Sequence, residues 1–170
     1  MAYQVAVCGP RECTAEESDR ARRVGELLAD AGVVVICGGG AGVMGAVAEG
    51  VRSRGGCVVG IRPGDTREGA SPDLSVTVVT NMGEARNAVV VWSADAVIAI
   101  GWSWGTLSEV ALAMRRGGVP VIVLAGWRIL DEDGEAVPGL EYVDTVEAAV
   151  HRCLAQTTLG RSRPEASGAP

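Results

Sequence analysis

Short apolar runs alternate along the chain with longer segments in which apolar residues recur at helical spacing. In the runs at 33–37 and 96–100 every position is apolar, which is typical of strands covered on both faces of a sheet. Between the runs, Thr14 with Glu17 three residues later predicts a capped helix start, and Gly32 predicts a helix end. The pattern predicts six strands, at 3–8, 33–37, 57–61, 75–79, 96–100 and 119–124.

Six strands alternating with helices predict an α/β fold, namely a doubly wound, Rossmann-like parallel sheet of six to seven strands with helices on both faces. Residues 142–143 are a candidate for a short seventh strand, and 146–154 for a closing helix. We expect residues 1–156 to form a single nucleotide- or phosphate-binding domain, and 157–170, which lack periodicity, to form a disordered tail. Ligands of such sheets bind beyond the carboxyl ends of the strands.

Composition narrows the functional classes. The chain has 170 residues, is 48% hydrophobic and carries a net charge of -6, which is typical of a soluble globular protein and argues against binding to nucleic acid or anionic membranes. The sequence shows no signal peptide and no apolar run as long as a membrane span of roughly 18 to 20 residues. The expected location is therefore the cytoplasm, and the expected partner is a small molecule.

The residue inventory argues against several kinds of catalysis. The 5 cysteines include no CxxC pair, and Cys8, Cys37 and Cys57 lie in or beside apolar runs, so no metal site is expected. The single histidine, His151, lies far from any candidate nucleophile, which argues against Ser-His and Cys-His catalysis. All 15 basic residues are arginine, so no lysine can form a Schiff base with pyridoxal phosphate. We expect no cofactor.

The first candidate binding element is a glycine loop, GGGAGVMG at 38–45, between the second strand and its helix. Its second half matches GxGxxG, a spacing that lets the backbone approach a phosphate at a helix start. The predicted phosphate-binding residues are Gly38, Gly39, Gly40, Gly42, Val43, Met44 and Gly45. Two other interpretations stay open: a tight turn without a ligand, and a site for NADP in which Arg62, at the end of the next strand, holds the 2′-phosphate.

The second element is the segment GWSWGTLSE at 101–109, after the fifth strand. A helix that opens with Gly105, Thr106 and Leu107 is expected to leave their amides free as an anion site. Glu109 follows within that helix, either as a functional carboxylate or as a solvated residue that favours the helix dipole. The indoles of Trp102 and Trp104 are candidates for stacking on a flat heterocycle, or for contacts in a dimer interface.

The third element is the helix that carries Arg86. Residues 80 and 81, Thr80 and Asn81, are expected to cap a helix that runs to about Ser93, with Arg86 near its start. The residues at 88–92 are continuously apolar, which predicts that the helix is buried or packs on a partner subunit. An arginine at the start of such a helix binds an anion or forms a surface salt bridge.

The segments GGGAGVMGAVAEGV and GWSWGTLSE together resemble the LOG family, the cytokinin-activating phosphoribohydrolases formerly labelled lysine decarboxylases. The hallmark of that family is PGGxGTxxE, preceded by a segment with an arginine. In an alignment without gaps, the Gly-Thr of the motif falls on Gly105 and Thr106, its glutamate on Glu109 and its arginine on Arg86. The resemblance therefore implies that Glu109 and Arg86 are the catalytic residues.

The chain also departs from the hallmark. Gly101, Trp102 and Ser103 replace Pro-Gly-Gly, Glu84 takes the position of a histidine in the arginine segment, and Asn87 that of a lysine. These departures are similar to a divergent branch that includes the molybdenum cofactor carrier proteins, which bind a pterin phosphate without hydrolysing nucleotides. Ser103, Glu84 and Asn87 are accordingly candidates for accessory roles.

The resemblance implies hydrolysis of the N-glycosidic bond of a nucleoside 5′-monophosphate to a free base and ribose 5-phosphate. One alternative is a non-catalytic carrier of a phosphorylated heterocycle such as molybdenum cofactor, and a second is an NADP-binding regulator. The dimers that the family forms imply a homodimer through the helix at 84–93. The sequence does not define the base or the role of Glu84.

Overall fold

The computed structural model describes residues 2–159, which form one sheet of seven parallel strands with helices on both faces. The predicted fold class is confirmed. The elements are β1 (Gln4–Cys8), α1 (Ala15–Asp30), β2 (Val34–Cys37), α2 (Val43–Ser53), β3 (Cys57–Arg62), β4 (Val76–Val79), a 3-10 turn (Gly83–Ala85), α3 (Arg86–Trp92), β5 (Ala96–Ile100), α4 (Trp104–Arg116), β6 (Val121–Leu124), β7 (Leu140–Val143) and α5 (Val146–Leu159).

The sheet order is β4-β3-β2-β1-β5-β6-β7, so the chain reverses its direction of travel between β1 and β5. Ala6 of β1 aligns with Ile36 of β2 on one side and with Val97 of β5 on the other. The loops that follow these three strands therefore leave the same edge of the sheet and diverge there. A crevice at such a switch point is where ligands bind in doubly wound folds.

The sheet is buried between two helical layers. Helices α1, α2 and α5 pack on one face around Leu28, Val47 and Ile98, and α3 and α4 cover the other face around Val90 and Val110. Every residue of β5 is buried, as its uninterrupted apolar sequence predicts. Burial on both faces fixes the strand ends, and with them the positions from which the site loops start.

Some boundaries differ from the prediction. Helix α3 begins at Arg86, after a 3-10 turn, rather than after Thr80 and Asn81. The hydroxyl of Thr80 instead donates to the carbonyl oxygen of Arg62 at 2.7 Å, and Asn81 has a φ of 52°, so the pair forms a turn after β4. The capping box of Thr14 and Glu17 in α1 is confirmed.

Helix α5 runs to Leu159, past the expected end at residue 154 and into the predicted tail at 157–170. The part of that tail from residue 160 onward lies outside the described residues. Within residues 2–159, no helix is both long and apolar enough to cross a bilayer. The same part of the chain contains no group of three or more His, Cys, Asp or Glu side chains placed to hold a metal ion.

Candidate functional site

A cavity of about 210 Å³ lies at the carboxyl edge of the sheet, where the loops after β1, β2, β3 and β5 meet. Three arginines line it together with the carboxyl group of Glu109, namely Arg11 after β1, Arg62 at the end of β3 and Arg86 at the start of α3. Most of the predicted site residues also line it, namely Gly38, Gly40, Met44, Glu84, Arg86, Asn87, Ser103, Gly105, Thr106 and Glu109. Gly39, Gly42, Val43, Gly45, Trp102, Trp104 and Leu107 are not among its lining residues.

The carboxyl group of Glu109 lies at the base of this cavity, where α4 faces α3. Glu109 is only 7% exposed, and its Oε1 lies 3.7 Å from Nη1 of Arg86. Burial raises the pKa of Glu109 to about 7, although the Arg86 guanidinium and a hydrogen bond from the Cys8 thiol oppose the rise. The negative charge of Glu84 adds to it. A carboxyl group with this pKa exchanges its proton near neutral pH, as a general base must.

The arginines give the cavity an excess of donors. Arg62 donates from Nη1 to the Gly39 carbonyl oxygen at 3.4 Å and from Nη2 to the Glu68 carbonyl oxygen at 2.8 Å. Among the described residues, Nε of Arg62 and both Nε and Nη1 of Arg86 are buried without a hydrogen-bond acceptor. Burial lowers the pKa of Arg62, and the charges of Arg11 and Arg86 lower it further. Guanidinium groups with unused donors in one cavity favour an anionic ligand.

The glycine loop, residues 38–45, brings backbone rather than side chains to the cavity. A methyl group on Gly38 would lie 2.6 Å from Nη1 of Arg86, so glycine is required for the guanidinium to lie against the chain. Gly42 caps α2 with a φ of 68°, and no side chain of the described part of the chain caps this helix. The amide of Val43 donates to the Pro10 carbonyl oxygen at 3.1 Å. This amide already has an acceptor within the chain, and the phosphate-binding role of Val43 stays a prediction.

The start of α4 differs from the prediction in which of its backbone amides are free. The helix begins at Trp104, and Ser103 is its N-cap. The Ser103 hydroxyl accepts from the Thr106 amide at 3.1 Å, and the Ser103 carbonyl oxygen accepts from the Leu107 amide at 2.9 Å. The prediction that the amides of Gly105, Thr106 and Leu107 are all free is therefore wrong, because those of Thr106 and Leu107 already have acceptors. Ser103, three residues before Thr106, is the signal in the sequence that could have revealed this cap.

Asn87 connects the two helices that carry the charged pair. Its side chain is buried and donates to the Ser108 hydroxyl at 2.8 Å, and that hydroxyl donates to the Gly105 carbonyl oxygen at 2.8 Å. Helices α3 and α4 are thus tied together beside Arg86 and Glu109. Glu84, by contrast, is exposed at the rim of the cavity.

The tryptophans pack on each other outside the cavity. Trp102 and Trp127 stack with ring centroids 5.7 Å apart and planes inclined by 1°, and Trp104 meets Trp127 edge-on at 5.6 Å. Trp104 is 77% exposed. The structure therefore separates these indoles from the charged pair, and their stacking on a ligand stays a prediction. The sequence analysis missed Trp127, which lies 23 residues beyond Trp104 in a loop without periodicity.

The apolar stretch of α3 is only partly buried. Val90 and Val91 face the core, whereas Trp92 is 63% exposed and carries the Arg116 guanidinium 5.1 Å from its ring centroid. The prediction of a homodimer through this helix is left untested by this contact.

Comparison with known proteins was made against family models, curated sequences and solved structures. The model described as the SLOG cluster4 family matches residues 2–150. An uncharacterized protein of Archaeoglobus fulgidus is 41% identical over 139 residues, which cover 79% of this chain and 91% of that protein. The cytokinin riboside 5′-monophosphate phosphoribohydrolase of Mycobacterium tuberculosis is 32% identical over 138 residues, 76% of this chain and 74% of that protein.

Among solved structures, the molybdenum cofactor binding protein from the phototrophic bacterium Rippkaea orientalis is similar with a TM-score of 0.81. The two are 29% identical, and the match covers 94% of this chain and 98% of that one. Together the comparisons confirm the resemblance to a divergent branch of LOG-like proteins.

Proposed function

The chain belongs to the SLOG cluster4 family, and from the geometry of its cavity we propose that it hydrolyses the N-glycosidic bond of a nucleoside 5′-monophosphate. The observation that carries the proposal is the buried Glu109 carboxyl group, 3.7 Å from Arg86 at the base of an arginine-lined cavity. Burying a carboxyl group next to a cavity costs stability, and such groups cluster at catalytic sites. The phosphoribohydrolase name of the Mycobacterium tuberculosis relative supports the same chemistry.

In the proposed reaction, the bond between the ribose C1′ and the base nitrogen breaks, and positive charge develops on the sugar ring. The ionised Glu109 stabilises that charge and takes a proton from the attacking water, whose oxygen forms the new bond to C1′. The departing base nitrogen takes a proton from solvent, and Glu109 returns its proton to solvent. The products are the free base and ribose 5-phosphate, and no further reactant is needed.

Arg86 has a positioning role in this mechanism. Burial raises the pKa of Glu109, and the positive charge of Arg86 lowers it, which keeps the ionised carboxylate accessible near neutral pH. Gly38 allows the guanidinium to lie at that place, and Asn87 ties its helix to α4. The hydrolytic function therefore depends on one acid and on the elements that hold its neighbouring charge.

The test is incubation of the purified protein with a panel of nucleoside 5′-monophosphates, with release of free base measured by chromatography. Glu109→Gln should lower the rate by about 10²- to 10⁴-fold, the range for loss of a general base. Glu132→Gln, the same change at an exposed position, is the matched control and should retain the rate. Equal rates in wild type and Glu109→Gln, or no release from any nucleotide, would overturn the proposal.

The second candidate is a carrier that holds a phosphorylated heterocycle without breaking a bond. It is favoured by the similarity to the molybdenum cofactor binding protein, together with the replacement of the hallmark Pro-Gly-Gly by Gly101, Trp102 and Ser103. A carrier would gain thermal stability from phosphorylated ligands while releasing no base. Measurement of melting temperature beside the chromatographic assay separates the two candidates.

A further inference from the structure

Arg11 and Arg62 both line the cavity, and their guanidinium groups converge near Gly69, beside it. A methyl group built on Gly69 would lie 3.5 Å from Nη2 of Arg62 and 3.8 Å from Nη2 of Arg11. Among the ion pairs of residues 2–159, none includes either arginine. Two like charges are thus held close together with no carboxylate paired to either, an arrangement that an anion bound between them would stabilise.

We propose that Arg11 and Arg62 bind the terminal phosphate of the ligand and select a phosphomonoester, with its two negative charges, over a phosphodiester or an unphosphorylated nucleoside. The inference rests on the proposed function for the identity of the rest of the ligand, the ribosyl group. It assigns the phosphate to side chains, whereas the sequence motifs assign it to helix amides.

The backbone supports this assignment because several amides at the two helix starts are already bonded. The Val43 amide donates to Pro10, and the Thr106 and Leu107 amides donate to Ser103. Arg62, in contrast, is held in place by two carbonyl oxygens and still has a buried Nε without an acceptor in the described part of the chain. A guanidinium carries five N–H donors, so donors remain after these two bonds.

Charge balance gives the selectivity. Three guanidinium groups line the cavity, and the carboxyl groups facing them are Glu109 at the base and Glu84 at the rim. Arg86 already lies beside Glu109, which leaves Arg11 and Arg62 for the ligand. A phosphomonoester carries a charge of about -1.5 to -2 near neutral pH and so balances both of them. A diester has a single charge and one non-bridging oxygen fewer, so it balances only one of the two arginines.

The experiment is calorimetric titration of the protein with ribose 5-phosphate, which lacks the bond to be cleaved. Arg62→Met and Arg11→Met should each weaken its binding by about 10- to 100-fold, as expected for loss of a charge-assisted contact. Arg115→Met, which removes an exposed arginine of α4, is the matched control and should bind within about 2-fold of wild type. Ribose and the methyl diester of ribose 5-phosphate should bind at least about 10-fold more weakly than ribose 5-phosphate.

Wild-type affinity for ribose 5-phosphate in Arg62→Met and Arg11→Met, or equal affinity for the diester, would overturn the inference. If Arg62→Met does not fold, as judged by circular dichroism, Arg11→Met at an exposed position decides the outcome. The proposed hydrolysis fails in a different way. Ribose 5-phosphate binding that depends on both arginines, without release of base from any nucleotide, refutes the hydrolase and retains the phosphate site.

Discussion

Two loops leave the same edge of the sheet and enter helices, but they treat the helix amides differently. The glycine loop enters α2 through Gly42, which provides no capping side chain. The loop at 101–103 enters α4 through Ser103, whose hydroxyl bonds the Thr106 amide. Neither start is fully free, because the Val43 amide of α2 donates to the Pro10 carbonyl oxygen, but of the two only α4 is capped by a side chain. A helix start is an anion site only when the chain leaves its amides without an internal acceptor.

The loops also differ in what they bring to the cavity. The glycine loop contributes close backbone and room for Arg86, whereas α4 contributes the Glu109 carboxyl group. The glycine loop therefore shapes the binding space, and α4 provides the proposed catalytic group. Changes in the two loops should therefore affect different observables.

The largest effect is expected from adding one methyl group to the glycine loop. In Gly38→Ala the new methyl would lie 2.6 Å from Nη1 of Arg86 and from Sδ of Met44, so these flexible ends must move. Displacement of Arg86 from Glu109 should reduce base release by about 10- to 100-fold, as misplaced catalytic groups do, with little loss of stability.

Gly105→Ala is the matched control for that change. Its methyl group would meet only the Ser103 hydroxyl at 3.6 Å, and alanine favours a helix over glycine. We expect normal activity and unchanged or higher stability, measured by chromatography and urea denaturation. Equal losses in the two variants would contradict the division between the loops.

The next effect concerns the pH dependence of base release. With a pKa of about 7, Glu109 is ionised to a small extent at pH 6 and almost fully at pH 8. Because the base must be ionised, the rate should rise by about tenfold between these values. A chromatographic pH profile tests this, and a rate that is flat or falls over this interval would exclude Glu109 as the base.

Glu109 should also make the free energy of unfolding depend on pH. Its pKa is raised from 4.5 to about 7 by folding, so the folded state binds the proton more tightly than the unfolded state. This contribution to the free energy of unfolding is complete below about pH 4.5 and is lost as the pH rises through 7. Urea denaturation at several pH values should show a smaller decline over this interval in Glu109→Gln than in wild type.

The smallest effect is expected from removal of the α4 cap. Ser103→Ala should lower the free energy of unfolding by about 1 kcal/mol, because the Thr106 amide loses its acceptor. Ser103→Asp, which restores a capping oxygen, should recover most of the loss in urea denaturation. An unchanged stability of Ser103→Ala would show that the cap contributes little and that the two helix starts differ less than their contacts suggest.

The sequence was sufficient for the sheet because alternation of apolar runs and amphipathic segments is a local property. The same holds for the capping box of Thr14 and Glu17. Arg86 and Glu109 were found through motif spacing, and the structure brings them within 3.7 Å. Their catalytic role stays a prediction, since proximity does not test it.

The parts that were missed depend on contacts between segments far apart in the chain. Arg11, which the sequence pattern does not single out, approaches Arg62 only after β1 and β3 take their places in the sheet, and the acceptor of the Val43 amide is Pro10. Trp127 reaches Trp102 from a loop with no periodic pattern. Such neighbours follow from strand order and loop path, which residue spacing does not encode.

The hydrogen bonds from Asn87 to Ser108 and from Ser108 to Gly105 have a mechanical consequence. They couple α3 to α4 through a side chain that is buried between them. The distance between Arg86 and Glu109 is therefore set by the packing of two helices rather than by the path of a loop.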